Sequence, residues 1–210
     1  MFTEAIPSLA AVFYDKVPAR ALGNFYRDVA TDVVGLLHSG RLLDVGSGPG
    51  YLPLEIARGA PALEVVGIDL SPKMVEIARG NGAGESLPNL SFEVADANHL
   101  PYEDSCFDLV ISTGALHHWH HMRAVFLEIN RVLKVGGAAW VYDLRRDASG
   151  SEIRETLGKR GAYMRLAFKF HGLKTGKYHG DVRKLLQEIG VAALEIEKRN
   201  AFMKISWEKA

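Results

Sequence analysis

Between residues 41 and 144, short apolar runs alternate with amphipathic segments of helical periodicity. Apolar runs of strand length indicate strands buried on both faces, and the amphipathic segments indicate helices that cover those faces. Strands connected through helices lie parallel to one another. The alternation therefore predicts an α/β fold of the Rossmann-like, doubly wound kind, with a mainly parallel sheet between two helix layers. The predicted strands are Arg41–Val45, Glu64–Asp69, Leu90–Ala95, Phe107–Ser112 and Ala138–Asp143, and the predicted helices are Tyr51–Arg58, Pro72–Arg79 and Arg123–Leu133.

The segments on either side of this core complete the predicted organisation. Apolar residues recur at helical spacing within residues 1–40, which are therefore predicted to form a helical cap. Near the other end, a predicted helix precedes two predicted strands, Ala193–Arg199 and Ala201–Trp207. The short turn between them at Asn200 predicts an antiparallel edge, which brings the sheet to seven strands. We expect a single domain over residues 1–210, made of the cap at 1–40, the core at 41–144, an inserted lid at 145–180, and a final helix and strand pair at 181–210.

The composition disfavours several classes of function. Lys plus Arg and Asp plus Glu both number 25, so the molecule as a whole attracts neither nucleic acid nor an anionic membrane. Cys106 is the only cysteine, which excludes an internal disulfide and a cysteine-based zinc site. The sequence has no apolar run of membrane-spanning length and no basic leader. We expect a cytoplasmic protein without a membrane span, whose partner is a small molecule rather than a nucleic acid.

The first predicted strand runs directly into a glycine-rich turn, LLDVGSGPG, at residues 42–50. Gly46, Gly48 and Gly50 allow a tight strand-to-helix turn and let a ligand contact the backbone. The dinucleotide-binding fingerprint is G-x-G-x-x-G, whereas these glycines follow G-x-G-x-G with Asp44 two positions before the first. This spacing favours a nucleoside ligand without a pyrophosphate and disfavours a nicotinamide-dependent oxidoreductase. A turn that binds nothing is the alternative interpretation.

Two more carboxylates follow the next two strands. Asp69 ends the second predicted strand, and Asp96 follows the third. Ligands of open α/β sheets bind at the carboxyl ends of the strands, where Asp69 could accept both hydroxyls of a ribose and Asp96 could meet an adenine amino group. Each acid alone is equally well explained as a helix cap or a solvated loop residue. Their order on successive strands, after Asp44 on the first, favours a nucleoside site.

Four segments resemble the successive motifs of class I S-adenosylmethionine-dependent methyltransferases. They are LLDVGSGPGYLPLEIA, VVGIDLSPKMVEIAR, VADANHLPYEDSCFDLVISTGALHH and EINRVLKVGG. The likeness is greatest to the small-molecule group that includes the ubiquinone and menaquinone C-methyltransferases, and it covers residues 40–144. It implies S-adenosyl-L-methionine as the cofactor and methyl transfer to a small molecule as the reaction. A non-catalytic protein that binds the same cofactor for regulation or assembly stays open, because these motifs report cofactor binding only.

The resemblance also implies which residues bind the cofactor. Its methionine end would lie at Asp44 and the glycine turn, and its ribose at Asp69. Leu70 and Met74 would cover one face of the adenine, and Asp96 would meet the adenine edge. The full expected set is Asp44, Gly46, Ser47, Gly48, Gly50, Asp69, Leu70, Met74, Asp96, Ala97 and Thr113.

The acceptor side carries no comparable motif. His117 and His118 follow the fourth predicted strand, so either could act as a general base, with plain packing of the loop as the alternative. No carboxylate or thiolate pattern beside them completes a metal site, and no metal is predicted. Arg145 and Arg146 follow the fifth strand and could clamp an anionic acceptor, although a basic stretch is as often a solvated face. Tyr14, in the cap, could close over the site or pack on the core.

Two kinds of acceptor are disfavoured within this group. The chain has STGALHH after the fourth strand, and not the Asn/Asp-Pro-Pro-aromatic box of DNA amino-methyltransferases, which argues against a nucleobase acceptor. Arsenite methyltransferases hold arsenic with several thiols, which a single cysteine cannot supply.

Overall fold

The structure is a computed structural model that describes residues 19–157 and 175–210, with side chains described for residues 19–157 and 180–210. One seven-stranded sheet has the strand order β3-β2-β1-β4-β5-β7-β6. Strands β1 to β5 are parallel, and β7 is antiparallel to both of its neighbours. The strands are β1 Ser39–Val45, β2 Ala62–Asp69, β3 Leu90–Val94, β4 Phe107–Thr113, β5 Leu133–Leu144, β6 Ala192–Arg199 and β7 Phe202–Glu208.

Helices cover both faces of the sheet. Helix α4 shows why the sequence folds this way, because Val125, Phe126, Ile129 and Val132 recur at helical spacing and are all buried. None of the helices in the described ranges is long and apolar enough to cross a membrane. The helices are α1 Gly23–Leu36, α2 Tyr51–Gly59, α3 Pro72–Gly82, α4 Met122–Val132, α5 Gly150–Leu157 and α6 Thr175–Glu188, with a single 3₁₀ turn at Leu116–His118.

The core consists of one large apolar layer on each face of the sheet. On one face, α1, α2 and α5 pack over the strands, and the ring of Phe25 stacks on Phe202 with their centroids 3.8 Å apart. On the other face, α4 and α6 pack over the strands, and Phe126 meets Trp207 edge to face. Aromatic pairs of this kind add roughly 0.5–1.5 kcal/mol beyond the area that they bury. The two layers hold the strand ends, and the loops that follow them, in fixed positions.

The strand order reverses between β1 and β4. Leu42–Asp44 of β1 pair with Leu109–Ile111 of β4, while the chain continues from β1 to β2 on the opposite side. In open α/β sheets, the crevice at such a switch point, beyond the carboxyl ends of the strands, is where ligands bind. The fold therefore directs attention to the loops after β1, β2, β3, β4 and β5.

The predicted fold class is confirmed, and the differences lie at element ends. Strand β5 begins at Leu133 rather than Ala138, because Leu133 pairs with Phe107 before a shift in register. The final hairpin turns at Asn200, which has a φ of +50°, as the short connection predicts.

The structure assigns both ends of the predicted lid at 145–180 to helices. Residues 150–157 form α5, whose Ile153 and Leu157 are buried in the core, and the final helix already begins at Thr175. Helix α1 lies within the predicted helical cap at residues 1–40. Residues 158–174 of the lid and residues 1–18 of the cap lie outside the described residues.

Candidate functional site

The loop from β1 to α2 is a tight turn that only glycines can form at low cost. Gly46, Gly48 and Gly50 have φ angles of +75°, +53° and +81°. A Cβ atom added to Gly46 or to Gly50 would come within 2.6 Å of a neighbouring side chain. The N–H groups of Gly46 and Ser47 both donate to the carbonyl of Ile68 at 2.8 Å. The turn is therefore fastened to β2, and its first three residues, 46–48, are half-buried at the carboxyl end of β1.

Asp44 is a buried carboxylate without a partner. The residue is fully buried, and neither carboxylate oxygen has a hydrogen-bond donor in the described part of the chain. The buried hydroxyl of Ser47 lacks a partner there too. Burial, and to a smaller extent the charge of Asp69, raises the pKa of Asp44 to about 8. Because unpaired buried polar groups are costly, this position fits a donor from outside the protein, such as an ammonium group.

Asp69 connects the glycine turn to the start of α3. Its Oδ2 accepts the N–H of Gly48 at 3.0 Å, and its Oδ1 accepts the N–H of Ser71 at 2.8 Å. Burial raises the pKa of Asp69, although these two hydrogen bonds oppose that shift. Two carboxylate oxygens offer about four acceptor positions, so hydroxyl donors can still be accommodated. Asp69 combines a structural role with the capacity to bind a ligand.

The remaining residues expected at an adenine follow β2 and β3. The carboxylate of Asp96 accepts both the backbone N–H and the side-chain amide of Asn98 at 2.8 Å, which closes a local turn. Ala97 packs against the core, Leu70 is half-buried, and Met74 is fully buried on α3. The adenine roles of these residues stay predictions.

Thr113, which is half-buried and expected at the cofactor, is the last residue of β4. The loop after β4 brings His117 against Asp143, the penultimate residue of β5. The Nδ1 atom of His117 lies 2.8 Å from Oδ1 and 3.0 Å from Oδ2 of Asp143, and the backbone N–H of His117 donates to Oδ2 at 2.8 Å. Asp143 is fully buried, and its Oδ1 also accepts the N–H of Leu144. Burial lowers the pKa of His117, but the charge and hydrogen bond of Asp143 outweigh burial and raise it overall.

The second predicted histidine lies beside the first. The ring of His118 is tilted by 42° against the ring of His117, with the centroids 4.0 Å apart. Across the described residues, no group of three or more His, Cys, Asp or Glu side chains is arranged to hold a metal ion.

Arg145, one of the two arginines predicted as a substrate clamp, is held by the protein itself. It is buried, and its guanidinium donates to Asp147, to Glu152 and to the carbonyl of Asn200. These partners satisfy the side chain without a substrate. Arg146 is exposed. The clamp role of both residues stays a prediction. Tyr14 lies outside the described residues.

Asp143 is the site residue that the sequence argument missed. A signal for it existed, because Asp143 ends the fifth predicted strand just as Asp69 ends the second. The same rule about carboxyl ends of strands would have placed it at the crevice. What the sequence does not reveal is its contact with His117, which depends on how the loop after β4 folds back.

The fold and the site agree with the resemblance found in the sequence. A seven-stranded Rossmann-like sheet with an antiparallel β7, an acidic glycine turn after β1 and carboxylates at the ends of β2 and β3 are what the resemblance to class I methyltransferases implies. Residues 43–141 match the family described as Methyltransferase domain. The resemblance stated from the sequence is confirmed.

Named relatives agree with this assignment. A demethylmenaquinone methyltransferase of Deinococcus radiodurans is 35% identical over 116 residues, which cover 55% of this chain and 48% of the relative. One from Chlorobaculum parvum is 30% identical over 147 residues, covering 68% of this chain and 58% of the relative. A malonyl-[acyl-carrier protein] O-methyltransferase of Legionella pneumophila is 39% identical over 98 residues, covering 46% and 34%. The chain thus spans about half or less of the length of most of these curated relatives.

Among solved structures, a methyltransferase from Methanococcus maripaludis, titled as S-adenosyl-L-methionine-dependent, superposes with a TM-score of 0.83 at 24% identity. The match covers 100% of this chain and 95% of that one. A phosphoethanolamine N-methyltransferase of Haemonchus contortus, in complex with S-adenosyl-L-methionine, superposes with a TM-score of 0.67 at 18% identity, covering 87% and 52%. At these identities, both likenesses establish the fold.

Proposed function

We propose that this protein transfers a methyl group from S-adenosyl-L-methionine to a small-molecule acceptor. The observation that carries the proposal is the buried, unpartnered carboxylate of Asp44, next to the unpartnered hydroxyl of Ser47, at the glycine turn. An amino-acid ammonium group would supply the missing donor at Asp44 and neutralise its charge. A nicotinamide dinucleotide is disfavoured because the glycines follow G-x-G-x-G and not the G-x-G-x-x-G of the dinucleotide-binding turn.

The proposed cofactor site extends along the ends of β1, β2 and β3. The free acceptor positions of Asp69 would take the ribose hydroxyls, and Asp96 with Ala97 would take the adenine edge. Leu70 and Met74 would lie against the adenine face, and Thr113 would complete the site near the glycine turn. When bound, the cofactor supplies an electrophilic methyl group on a sulfonium.

The protein's own contribution to catalysis would be to hold the donor and the acceptor in position and to exclude water from them. Holding two reactants in line can contribute about 7–11 kcal/mol in well-oriented systems. The half-buried loop after β4 carries His117 and His118, of which one would accept a proton from the acceptor. Residues 158–174 would cover the acceptor as a lid, and Tyr14 would close the cap over it.

The class of acceptor is proposed from the names of relatives and from charge, and the cellular location is proposed from composition. Relatives are named for demethylmenaquinone and for malonyl-[acyl-carrier protein], which fits a small or carrier-bound metabolite. Arg146 would attract an anionic acceptor. The single cysteine and the zero net charge favour the cytoplasm and disfavour a nucleic-acid partner.

Calorimetric titration of the full chain tests the cofactor directly. We expect S-adenosyl-L-methionine and its demethylated product to bind, and NAD to give no measurable heat. Asp44→Leu, which removes the unpartnered carboxylate, should abolish binding of both sulfur nucleosides. Tight binding of NAD with no response to either sulfur nucleoside would contradict the proposal.

A further inference from the structure

Asp143 contacts both the ring and the main chain of His117. Its two carboxylate oxygens lie 2.8 and 3.0 Å from the ring Nδ1, and its Oδ2 accepts the backbone N–H of the same residue, so both are tied to one buried carboxylate. The N–H of Leu144 in turn holds the carboxylate itself. A side chain held in this way has few ways to turn.

We propose that Asp143 is the positioning residue that makes His117 the general base, and that the acceptor is a hydroxyl or phenol. This inference rests on the proposed function. It names a residue that the sequence argument left out and narrows the acceptor from any small molecule to one that carries an O–H group.

The position of the ring proton follows from the contact. A carboxylate oxygen can only accept, so the hydrogen between His117 and Asp143 belongs to Nδ1. In the neutral ring, the lone pair then lies on Nε2. Burial of Asp143 makes this choice firm, because the alternative tautomer would set the lone pair of Nδ1 against a buried anion. Asp143 would act through His117 and touch neither reactant.

The oriented base fits one type of acceptor. Nε2 of His117 takes the proton of the acceptor O–H while the oxygen forms a bond to the methyl carbon. The carbon–sulfur bond breaks, and its electron pair stays on sulfur, which becomes a neutral thioether. The proton ends on the imidazolium, which Asp143 stabilises. A carboxylate acceptor has no proton to lose, and a protonated amine would bring a second cation beside the sulfonium.

Among the described side chains, Asp143 from β5 and His118 from the same turn contact the ring of His117. The anion favours the charged form of that ring, so a neutral residue in place of Asp143 should lower the titration midpoint of His117.

Side-chain nitrogen NMR of the full chain, saturated with the demethylated cofactor, tests the dyad. In the wild type, the neutral ring of His117 should carry its proton on Nδ1. Asp143→Asn should move the proton to Nε2 and lower the titration midpoint, because an amide can donate to Nδ1. The matched variant His118→Ala should leave the tautomer unchanged. A wild-type ring protonated on Nε2 would overturn the proposal, even if Asp143→Asn failed to fold.

Kinetics on a panel of acceptors tests the second part of the proposal, that the acceptor is a hydroxyl or phenol. Among matched hydroxyl, phenol, carboxylate and amine compounds, the O–H acceptors should be methylated. With the best of them, Asp143→Asn should lower kcat about 10²-fold or more and leave cofactor affinity within about threefold. Methylation confined to carboxylates or amines, or an unchanged kcat, would overturn this inference while the proposed function stood. Failure to bind the cofactor would instead refute the proposed function.

Discussion

At the scale of single residues, Asp44 has opposite effects on the stability of the empty protein and on the proposed binding of the cofactor. An acid whose pKa is raised by folding holds a proton that the unfolded chain has released. Between the ordinary value of 3.8 and the folded value of about 8, the native state therefore binds more protons, and the free energy of unfolding falls as the pH rises. A bound ammonium group would reverse this penalty. The residue that weakens the empty protein is the one proposed to hold the cofactor.

Asp44→Asn should accordingly stabilise the empty protein and weaken the liganded one. The variant no longer ionises, so we expect a gain on the order of 1–5 kcal/mol near pH 8 that shrinks toward pH 4. Thermal unfolding from pH 4.5 to 8.5, with and without the demethylated cofactor, measures both effects. A wild type whose melting temperature is as flat with pH as that of the variant would argue against a proton held at Asp44.

Asp69→Asn separates the two roles of that residue. An asparagine oxygen can replace only one of the two acceptors that serve Gly48 and Ser71, because the amide nitrogen does not accept. We expect cofactor affinity to fall about tenfold or more, with a small loss of stability. Calorimetry beside Glu76→Ala, which removes an exposed carboxylate from α3, provides the comparison. Equal affinities in both variants would leave Asp69 a structural role only.

At the scale of elements, Arg145 joins three parts of the chain. Its guanidinium contacts Glu152 at the start of α5 and the carbonyl of Asn200 in the hairpin turn. Glu152 also forms a capping box with Ser149, whose N–H donates to Oε2 at 2.6 Å. The β6–β7 hairpin is thereby tied to α5.

Arg145→Met should loosen this connection. Hydrogen bonds to charged groups are each worth about 1.5–3 kcal/mol, so we expect a melting temperature several degrees lower. The matched variant Arg146→Met removes an exposed neighbour and should lower the melting temperature less than Arg145→Met. If Arg146 attracts an anionic acceptor, Arg146→Met should raise KM, and more so at low salt. Equal melting temperatures in the two variants would contradict the structural role of Arg145.

Elements with strong periodicity could be predicted, and those set by tertiary contacts could not. The apolar runs of β1, β2 and β4 predicted these strands within a few residues, because a strand buried on both faces leaves an unbroken apolar pattern. Helix α5 was not predicted because its segment is short and polar, although the spacing of Ser149 and Glu152 is that of a capping box. Arg145 was read as a clamp because a run of charges does not reveal which member is buried.

At the scale of the whole molecule, the donor side of the site could be predicted more fully than the acceptor side. Asp44, Asp69 and Asp96 each lie at or just beyond the carboxyl end of a strand, and the rule about strand ends needs only the order of the elements. The contact of His117 with Asp143 joins residues 26 positions apart, since the loop after β4 meets the end of β5. No local pattern encodes that closure.

The switch point between β1 and β4 separates the proposed cofactor side of the sheet from the proposed acceptor side. The carboxylates proposed for the cofactor lie at the carboxyl ends of β1, β2 and β3, whereas His117 and Asp143 lie at the carboxyl ends of β4 and β5. Substitutions on one side can therefore accumulate with little disturbance to the other. Over evolutionary time, a protein built on this plan could acquire new acceptors by remodelling one side of a sheet, while the opposite side kept its ancestral donor.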